Sequence, residues 1–561
     1  MAEELKNNPK EQQNTTMPEE EIFRQRKDKL MRLRAEEGYD PFQQDHYEVK
    51  QTLGYVREHY EHLKPEEWSE DEIQTAGRII VLRRHGKTAF ATFEDERDRL
   101  QLCFQFDVLG EKDYTFFKKW VDAGDFIGLV GVPFRTQRGE LTLSVKKFTL
   151  LSKALRPMPE KYHGLKDMEV RYRQRYADLI ANPEVRETFR KRTKIIQTFR
   201  RVLDAHGTLE VQTPILSTIA GGANARPFVT HHNTLDIDMY MRIATELHLK
   251  RLVVGMLGRV YEIGQQFRNE GMDQRHNPEF TSMEVYWPYG NYVDMMNLAE
   301  ELIVACADEL GGRVINYQGT EIDLNPPFRR ATMAELVNEH VGIDFMNITD
   351  EEARRQAALR GLEINPSYTR FDILPIFFEE YVEENLIQPT FVIGHPTVIS
   401  PLSKRNKENP DVTDRFELFI YGWEFANAFS ELNDPLDQRE RFTDQARKKD
   451  EGDEESHPFD EDFINALEYG LPPTGGMGVG IDRTVMLLTD SKSIRRSGVR
   501  VRPPAPTSSY GGVPEWPKGA DCKSVAIRFG GSNPPSSTKN VSPVGGAFFR
   551  IWDLQMVILN E

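Results

Sequence analysis

At 561 residues the chain has room for three or four units of roughly 100–200 residues, one of them with a substantial core. A hydrophobic fraction of 39%, a mean hydropathy of -0.57 and the lack of any apolar run of about 18 residues exclude a membrane span. The net charge of -17 excludes a protein that coats nucleic acid by bulk attraction, so any such contact must be local.

Three cysteines, Cys103, Cys306 and Cys522, are too few and too far apart for a disulfide framework or a four-thiolate zinc site. They point to a reducing, cytoplasmic setting. The opening MAEELKNNPKEQQNTT has no apolar segment of the kind a secretory signal needs. No repeat of 20–50 residues is present, which excludes solenoids and propellers.

In chain order, residues 1–71 read as a polar start followed by a helical extension. Within it, residues 19–37 place Phe23, Leu30 and Leu33 among Arg24, Arg26, Lys27, Lys29, Arg32 and Arg34, a basic amphipathic helix that stops near Gly38. A solvated charged helix and a phosphate-contacting helix both fit that pattern. From 72 to 155 the period changes to two. Five short segments, GRIIVLRR, TAFATFED, RLQLCFQF, DFIGLVGVPFRT and ELTLSVKKFTLL, are separated by turn signals. They suit a small OB barrel, a fold that stacks single-stranded bases on aromatic rings and holds the backbone with basic groups. Phe90 with Arg78, and Gln101 on the next strand, have the chemistry for that; Phe90 equally suits a core.

A linker over 156–180 leads into a unit at 181–495. Its first helix begins at Asn182 as N-cap with Pro183 at the first helical position, closes at Gly207, and carries Val185, Phe189, Ile196, Phe199 and Leu203 on one face. That face needs a partner. Pro214 in the following TLEVQTPIL cannot donate to a ladder, which puts this strand at an edge or a subunit boundary.

Three stretches carry chemistry. In RVYEIGQQFRNEGMDQRHNPEFTSMEVYW, a strand, a loop and a return strand, alternation places Glu262, Gln266, Arg268 and Glu270 on one face and Phe280, Ser282, Glu284 and Tyr286 on one face of the return strand. So many charges on a covered face demand partners or a ligand. The hairpin RFELFIYGWEFANAFSELND carries Glu417 and Glu424, then Asn427, Phe429 and Glu431. Paired carboxylates are the oxygen ligands magnesium prefers when phosphate completes the shell. Glu424 is out of parity with Glu431, so a bulge is needed to aim both inward. In TGGMGVGIDRTVMLL, four glycines let the backbone approach closely before a helix whose first turn holds Arg483, a guanidinium suited to phosphate. The spacing is neither a dinucleotide fingerprint nor a P-loop.

RETFRKRTKIIQTF with LEVQTPIL, FRNE with RHNPEFT, and GGMGVGIDR resemble motifs 1, 2 and 3 of class II aminoacyl-tRNA synthetases, in order. ALRPMPEKYHGLKDMEVRYRQRYADLI, GGANARPF, HNTLDIDMYMRIATELHLKRLVVG, ISPLSKRN and FSELNDPLDQRERF extend the resemblance to the lysyl members, over roughly residues 20–495. The resemblance implies an α+β multidomain protein. An OB barrel would precede a catalytic domain built on a mixed, mainly antiparallel sheet flanked by helices.

It further implies an enzyme that joins L-lysine to tRNA(Lys) using ATP and Mg2+. Arg268 and Arg483 would hold ATP phosphates, Glu270, His276, Asn277 and Phe280 would position the nucleotide, and Glu417 and Glu424 would ligate magnesium. Gly222, Glu246, Glu284, Tyr286, Asn427, Phe429 and Glu431 would form the lysine pocket. Arg78, Phe90, Gln101 and Glu140 would read the anticodon, and motif 1 would build a homodimer interface that covers the long helix.

Two alternatives accompany this reading: a paralogue that lysylates elongation factor P, which would lack the OB domain, and a catalytically impaired synthetase-like RNA-binding protein. The second is raised by residues 496–561, which depart from the family and are rich in Pro, Gly and Ser, as a disordered linker would be. By the genetic code, VRV, GSN and DCKS in this tail can be encoded by T-arm-like and anticodon-arm-like sequences. The expectation is a reading frame or stop lost near Arg495, followed by translation through tRNA genes. A locus without tRNA-like sequence there, on resequencing, overturns it.

Overall fold

A computed structural model describes residues 18–159, 167–450 and 459–494. The tail from 495 onward lies outside the described residues.

The basic helix runs Glu19–Glu37 and ends on Gly38 in the left-handed conformation. Leu30 and Leu33 are buried. Most of its cations are committed within the chain. Arg26 donates to the carbonyls of Ala154 and Arg156 at 2.9 Å, Lys29 pairs with Asp122 at 2.7 Å, and Arg34 pairs with Asp40 at 2.9 Å. Arg24 and Lys27 remain exposed.

The alternating segments form β1 (Ile73–His85), β2 (Thr88–Glu94), β3 (Arg99–Gln105), β4 (Phe126–Arg135) and β5 (Leu141–Ser152), closed as a barrel in the order β1-β2-β3-β5-β4. The β3–β5 pairing is parallel and the others are antiparallel. A helix over Phe106–Trp120, which the alternation gave no sign of, plugs the barrel with Phe117 and Trp120. Buried Glu94 ties the barrel to the next long helix, pairing with Arg99 on its own side and with Arg186 of that helix.

An eight-stranded sheet forms the core of the catalytic region. Its order is Arg329–Thr332, Thr390–Ile393, Arg415–Ile420, Trp423–Ser430, Thr474–Gly480, Glu279–Pro288, Val260–Phe267 and Leu209–Glu210. Only the two outermost pairings are parallel. The strand leading to Pro214 is indeed at the edge. The motif 1 helix, Pro183–Ala205, and a helix over Tyr292–Leu310 cover one face of the sheet.

Two details of the motif 1 helix differ from expectation. Its buried stripe is Val185, Thr188, Ile195, Thr198, Phe199, Val202 and Leu203, with Phe189 and Ile196 half-buried at the margin. The stripe packs on the chain's own core, so its partner is intramolecular. Asn182 precedes the helix but does not cap it, because its amide donates to Asp178 Oδ1 at 2.7 Å. Residues 333–382 add a helical layer with a separate core around Phe345, Phe377 and Phe378, covering the far end of the sheet.

Candidate active site

The open face of the sheet carries a cavity of about 450 Å³. Motif 2 supplies one wall. Its strands pair Glu262 with Glu284, Gly264 with Ser282 and Gln266 with Phe280, so the expected face holds. Gln266, Arg268, Glu270, Phe280, Ser282, Glu284 and Tyr286 all line the cavity. Glu262 does not reach it. This carboxylate is buried under Arg242, paired at 2.6 Å, and accepts from the amide and hydroxyl of Thr213 at 2.9 and 2.7 Å. A Cβ at Gly264 would collide with the Arg242 guanidinium, so glycine is what lets that arginine lie across the strand.

The Arg268 guanidinium stands 5.1 Å from the Phe280 ring centroid, and its Nε is buried without a hydrogen-bond partner. Burial depresses its pKa, against the pull of Glu270, Glu424 and Glu284. A buried cation in this condition is suited to an incoming anion. In the loop, His276 bonds Asp273 at 2.7 Å and lies 3.3 Å from Arg483 Nη2, while Asn277 donates to the Glu279 carbonyl at 2.6 Å.

Across the cavity, the hairpin of Arg415–Ile420 and Trp423–Ser430 contains the bulge that parity demanded. Leu418 pairs with Ala426 but Phe419 pairs with Glu424, leaving Phe425 over. Glu424, Asn427 and Phe429 thereby share the cavity with Glu417. Arg415 organises this corner, pairing with Glu417 at 2.6 Å and donating to Asn427 Oδ1 at 3.1 Å. Glu383, behind the hairpin, has its carboxyl pushed up to about 7 by burial and by the field of Glu379, Glu417 and Glu424. Such an excess of negative charge welcomes a cation. Among the described residues no three His, Cys, Asp or Glu side chains are arranged to hold a metal by themselves. Two carboxylates with open positions for phosphate oxygens are a donor set that fits Mg2+.

Motif 3 closes the floor. Asp482 is buried, accepting from the Thr281 amide at 2.7 Å and pairing with Arg192 of the motif 1 helix at 2.5 Å. This single carboxylate joins all three motifs. One turn position on, Arg483 projects into the cavity, 3.5 Å from Glu424 Oε2.

The narrow end is acidic. Glu284 accepts from the Thr245 amide at 3.0 Å and from the Tyr286 hydroxyl at 3.3 Å, and burial pushes its carboxyl up to about 7. Glu246 lines the same end beside Gly222, whose φ of 92° and contact with Glu246 exclude a larger residue. Glu431 lies one step behind the cavity lining, 1% exposed, ion-paired with the fully buried Lys250. A Cβ at Gly476 would overlap Glu431 Oε1 and the Tyr286 ring. Lys250, Arg242 and Arg415 were missed by sequence reasoning. The signal that could have found Lys250 was a lysine on the apolar face of the helix Glu246–Val254, one turn after Glu246.

The four barrel residues do not all meet. Phe90 lies opposite Cys103, and Gln101 opposite Thr142, to whose hydroxyl it donates at 3.1 Å. Glu140, exposed at the β4–β5 turn, is tied to this corner because its carbonyl accepts from Thr142 Oγ1 at 3.1 Å. Arg78 is elsewhere. It pairs in register with Glu94 and lies 4.2 Å over the Phe126 ring, whereas the residue opposite Phe90 on β1 is the exposed Arg83.

Residues 167–499 match the family described as tRNA synthetases class II (D, K and N), and residues 73–151 match the OB-fold nucleic acid binding domain. A lysine–tRNA ligase of Thermoanaerobacter pseudethanolicus is 53% identical over 484 residues, 86% of this chain and 96% of the relative. The lysine–tRNA ligase of Bacillus subtilis is 52% identical over 474 residues, 84% and 94% of the two chains. The chain belongs to the lysine–tRNA ligase family. That of Clostridium tetani, 49% identical over 500 residues, covers 88% of this chain and 97% of its own length. Residues 500–561 of this ligase lie beyond the family match.

Proposed function

We propose that this ligase activates L-lysine with ATP as lysyl-adenylate and transfers the lysyl group to tRNA(Lys), acting in the cytoplasm as a homodimer. The observation that carries the reading is one cavity with two chemical ends: guanidinium groups and paired carboxylates at one, buried acids at the other.

The nucleotide would lie along motif 2, its adenine on the Phe280 ring and held by Glu270, His276 and Asn277, with Arg268 and Arg483 on the phosphates. Glu417 and Glu424 would hold Mg2+, which when bound neutralises phosphate charge. At the narrow end, Glu246, Glu284 and Glu431 with Tyr286 would take the two ammonium groups of lysine, Glu284 and Glu431 favouring a cationic side chain, with Gly222, Asn427 and Phe429 shaping the walls. The substrate carboxylate would attack the α-phosphorus in line and pyrophosphate would leave; the terminal tRNA hydroxyl would then attack the acyl carbon of the adenylate, and AMP would leave. No protein nucleophile is needed. Arg268 and Arg483 act by position and charge. A desolvated acidic pocket left unpaired by a neutral amino acid disfavours it, by on the order of 10⁴-fold for comparable polar sites.

The homodimer is supported by an exposed apolar band along the sheet edge: Leu209, Ile215 and Leu216 with Val229, Leu235 and Met256, the last 89% exposed. Free, buried Cys103 and Cys306 fit a reducing compartment. Among the described residues no helix is long and apolar enough to cross a membrane. The elongation factor P alternative is disfavoured by the barrel. No observation favours the catalytically impaired one.

Purified protein is expected to exchange labelled pyrophosphate into ATP with lysine and with no other standard amino acid. Exchange with none, or with a neutral one, overturns the reading. Gly476→Ala is expected to raise KM for lysine about tenfold or more, by displacing Glu431, while KM for ATP stays within about twofold. Equal effects on both would place Gly476 in the fold alone.

For the anticodon, Phe90, Gln101 and Glu140 with Arg83 make the more coherent group than one built on Arg78. Phe90→Ala is expected to lower kcat/KM for tRNA by about 10- to 100-fold, the worth of one base stack, leaving pyrophosphate exchange intact. Loss of exchange in parallel would mean the ring is a core residue.

A further inference from the structure

Lys250 is fully buried in a helix whose other buried members are Leu247, Leu249 and Val253, apart from Glu246 at its start. A lone ammonium there would be costly. This one donates to Glu246 Oε1 at 2.5 Å and pairs with Glu431 Oε2. Around it stand aromatic faces, Phe429 at 5.5 Å, Phe463 at 5.9 Å and Tyr286 at 6.0 Å. It thus bridges two carboxylates from separate elements, the start of its own helix and the end of the Trp423–Ser430 strand, both assigned above to the substrate's ammonium groups.

We propose that Lys250 is a resident counter-ion of the lysine pocket: it aims Glu246 and Glu431 and supplies the buried positive charge that favours a carboxylate over a carboxylic acid at Glu431. The inference rests on the lysine-pocket reading. Both Glu431 oxygens are buried and neither makes a regular hydrogen bond, but Oε2 is ion-paired with Lys250 while Oε1 faces the gap that Gly476 leaves open, so Oε1 is the one left for a ligand.

The Glu431 carboxyl lies well above the ordinary carboxylate range even with Lys250 beside it, because its burial is the larger effect. Burial works against the Lys250 ammonium, but Glu246 and Glu431 outweigh it and hold its pKa above the ordinary lysine value. Burial drives the Glu431 carboxyl upward. Lys250 opposes that rise, while Glu246 and Glu284 add to it. The Tyr286 hydroxyl also faces this cluster, raised by burial and by Glu246, Glu284 and Glu431. Lys250 is thus the cation set against two repelling carboxylates and the burial of Glu431 itself. Without it the Glu431 carboxyl would rise further, and the substrate would have to displace its proton up to a higher pH. Lys250 is a positioning residue, acting through Glu246 and Glu431.

The test is the pH profile of kcat/KM for lysine in pyrophosphate exchange, between about pH 5.5 and 8.5, which reports protonation of the free enzyme. In Lys250→Met the midpoint is expected to move up by about one unit or more. Near the wild-type midpoint this means roughly a tenfold loss at low lysine, with KM for ATP within about twofold. An unmoved midpoint overturns the proposal. Should Lys250→Met not fold, Glu246→Gln is compared with Glu246→Gln/Lys250→Met. The midpoint of the variant retaining Lys250 is expected to be the lower, and equal midpoints overturn the proposal. Glu431→Gln separates the two layers. If it leaves kcat/KM for lysine untouched, the pocket reading itself falls; if kcat/KM drops while the Lys250 variants keep the wild-type midpoint, only the counter-ion falls.

Discussion

Glu431→Gln is expected to lower kcat/KM for lysine by about two to four orders of magnitude, the range seen when a site built for a charged partner loses it. KM for ATP should stay within about twofold. The substitution keeps the volume and removes only the charge. In the native pocket the carboxylate holds Lys250 with one oxygen and turns the other toward the space left by Gly476. A glutamine must point its amide donor at one of two ammonium groups, so either Lys250 or the substrate faces a like dipole. Because Lys250 keeps Glu246 at 2.5 Å, the protein should still fold. The loss of one buried charged hydrogen bond, about 1.5–3 kcal/mol, should show as a lower melting temperature. Steady-state exchange kinetics and a thermal melt check both, and unchanged lysine kinetics in a folded variant would move the pocket away from Glu431.

The parts of this site that were legible in the sequence are those governed by strand parity. Alternation through Gln266, Arg268 and Glu270 and through Phe280, Ser282, Glu284 and Tyr286 says which side chains share a face, and parity even required the bulge at Phe425. The barrel strands were legible for the same reason. What parity cannot say is where a shared face stops being cavity. Glu262 is in phase with Arg268 yet is sealed by Arg242, a residue 20 positions upstream that only the folded sheet brings across Gly264.

Arg78 shows the same limit along a strand. Chemistry groups it with Phe90, and the register keeps the two on one face but four residues apart, with Arg83 directly opposite Phe90. Lys250 was hidden differently, since a lysine in an apolar helical stripe reads as a snorkelling surface residue until its two anions are located. The helical layer over 333–382 has its own core and no motif. The one-residue shift of the motif 1 stripe, from Ile196 to Ile195, came from Val185, Thr188 and Ile195 turning inward together, a polar Thr188 included.

Arg268→Met should abolish adenylation more completely than any other single change in the motif 2 wall, with kcat for lysine-dependent exchange falling about 10³-fold, as expected for a preorganised group that meets charge developing in the transition state. The structure supplies a way to separate that role from a structural one. Arg268 is a buried guanidinium with an unpartnered Nε, and burial depresses its pKa even with Glu270, Glu424 and Glu284 near. In the free protein such a group is an expense carried for the ligand, and replacing it with an apolar chain of similar length relieves that expense. The melting temperature of Arg268→Met should therefore hold or rise while activity collapses. Arg268→Lys, which keeps the charge but not the planar fork, should recover only part of the rate. A parallel loss of melting temperature and activity would show that the guanidinium holds the motif 2 loop together, and the phosphate role would pass to Arg483 alone.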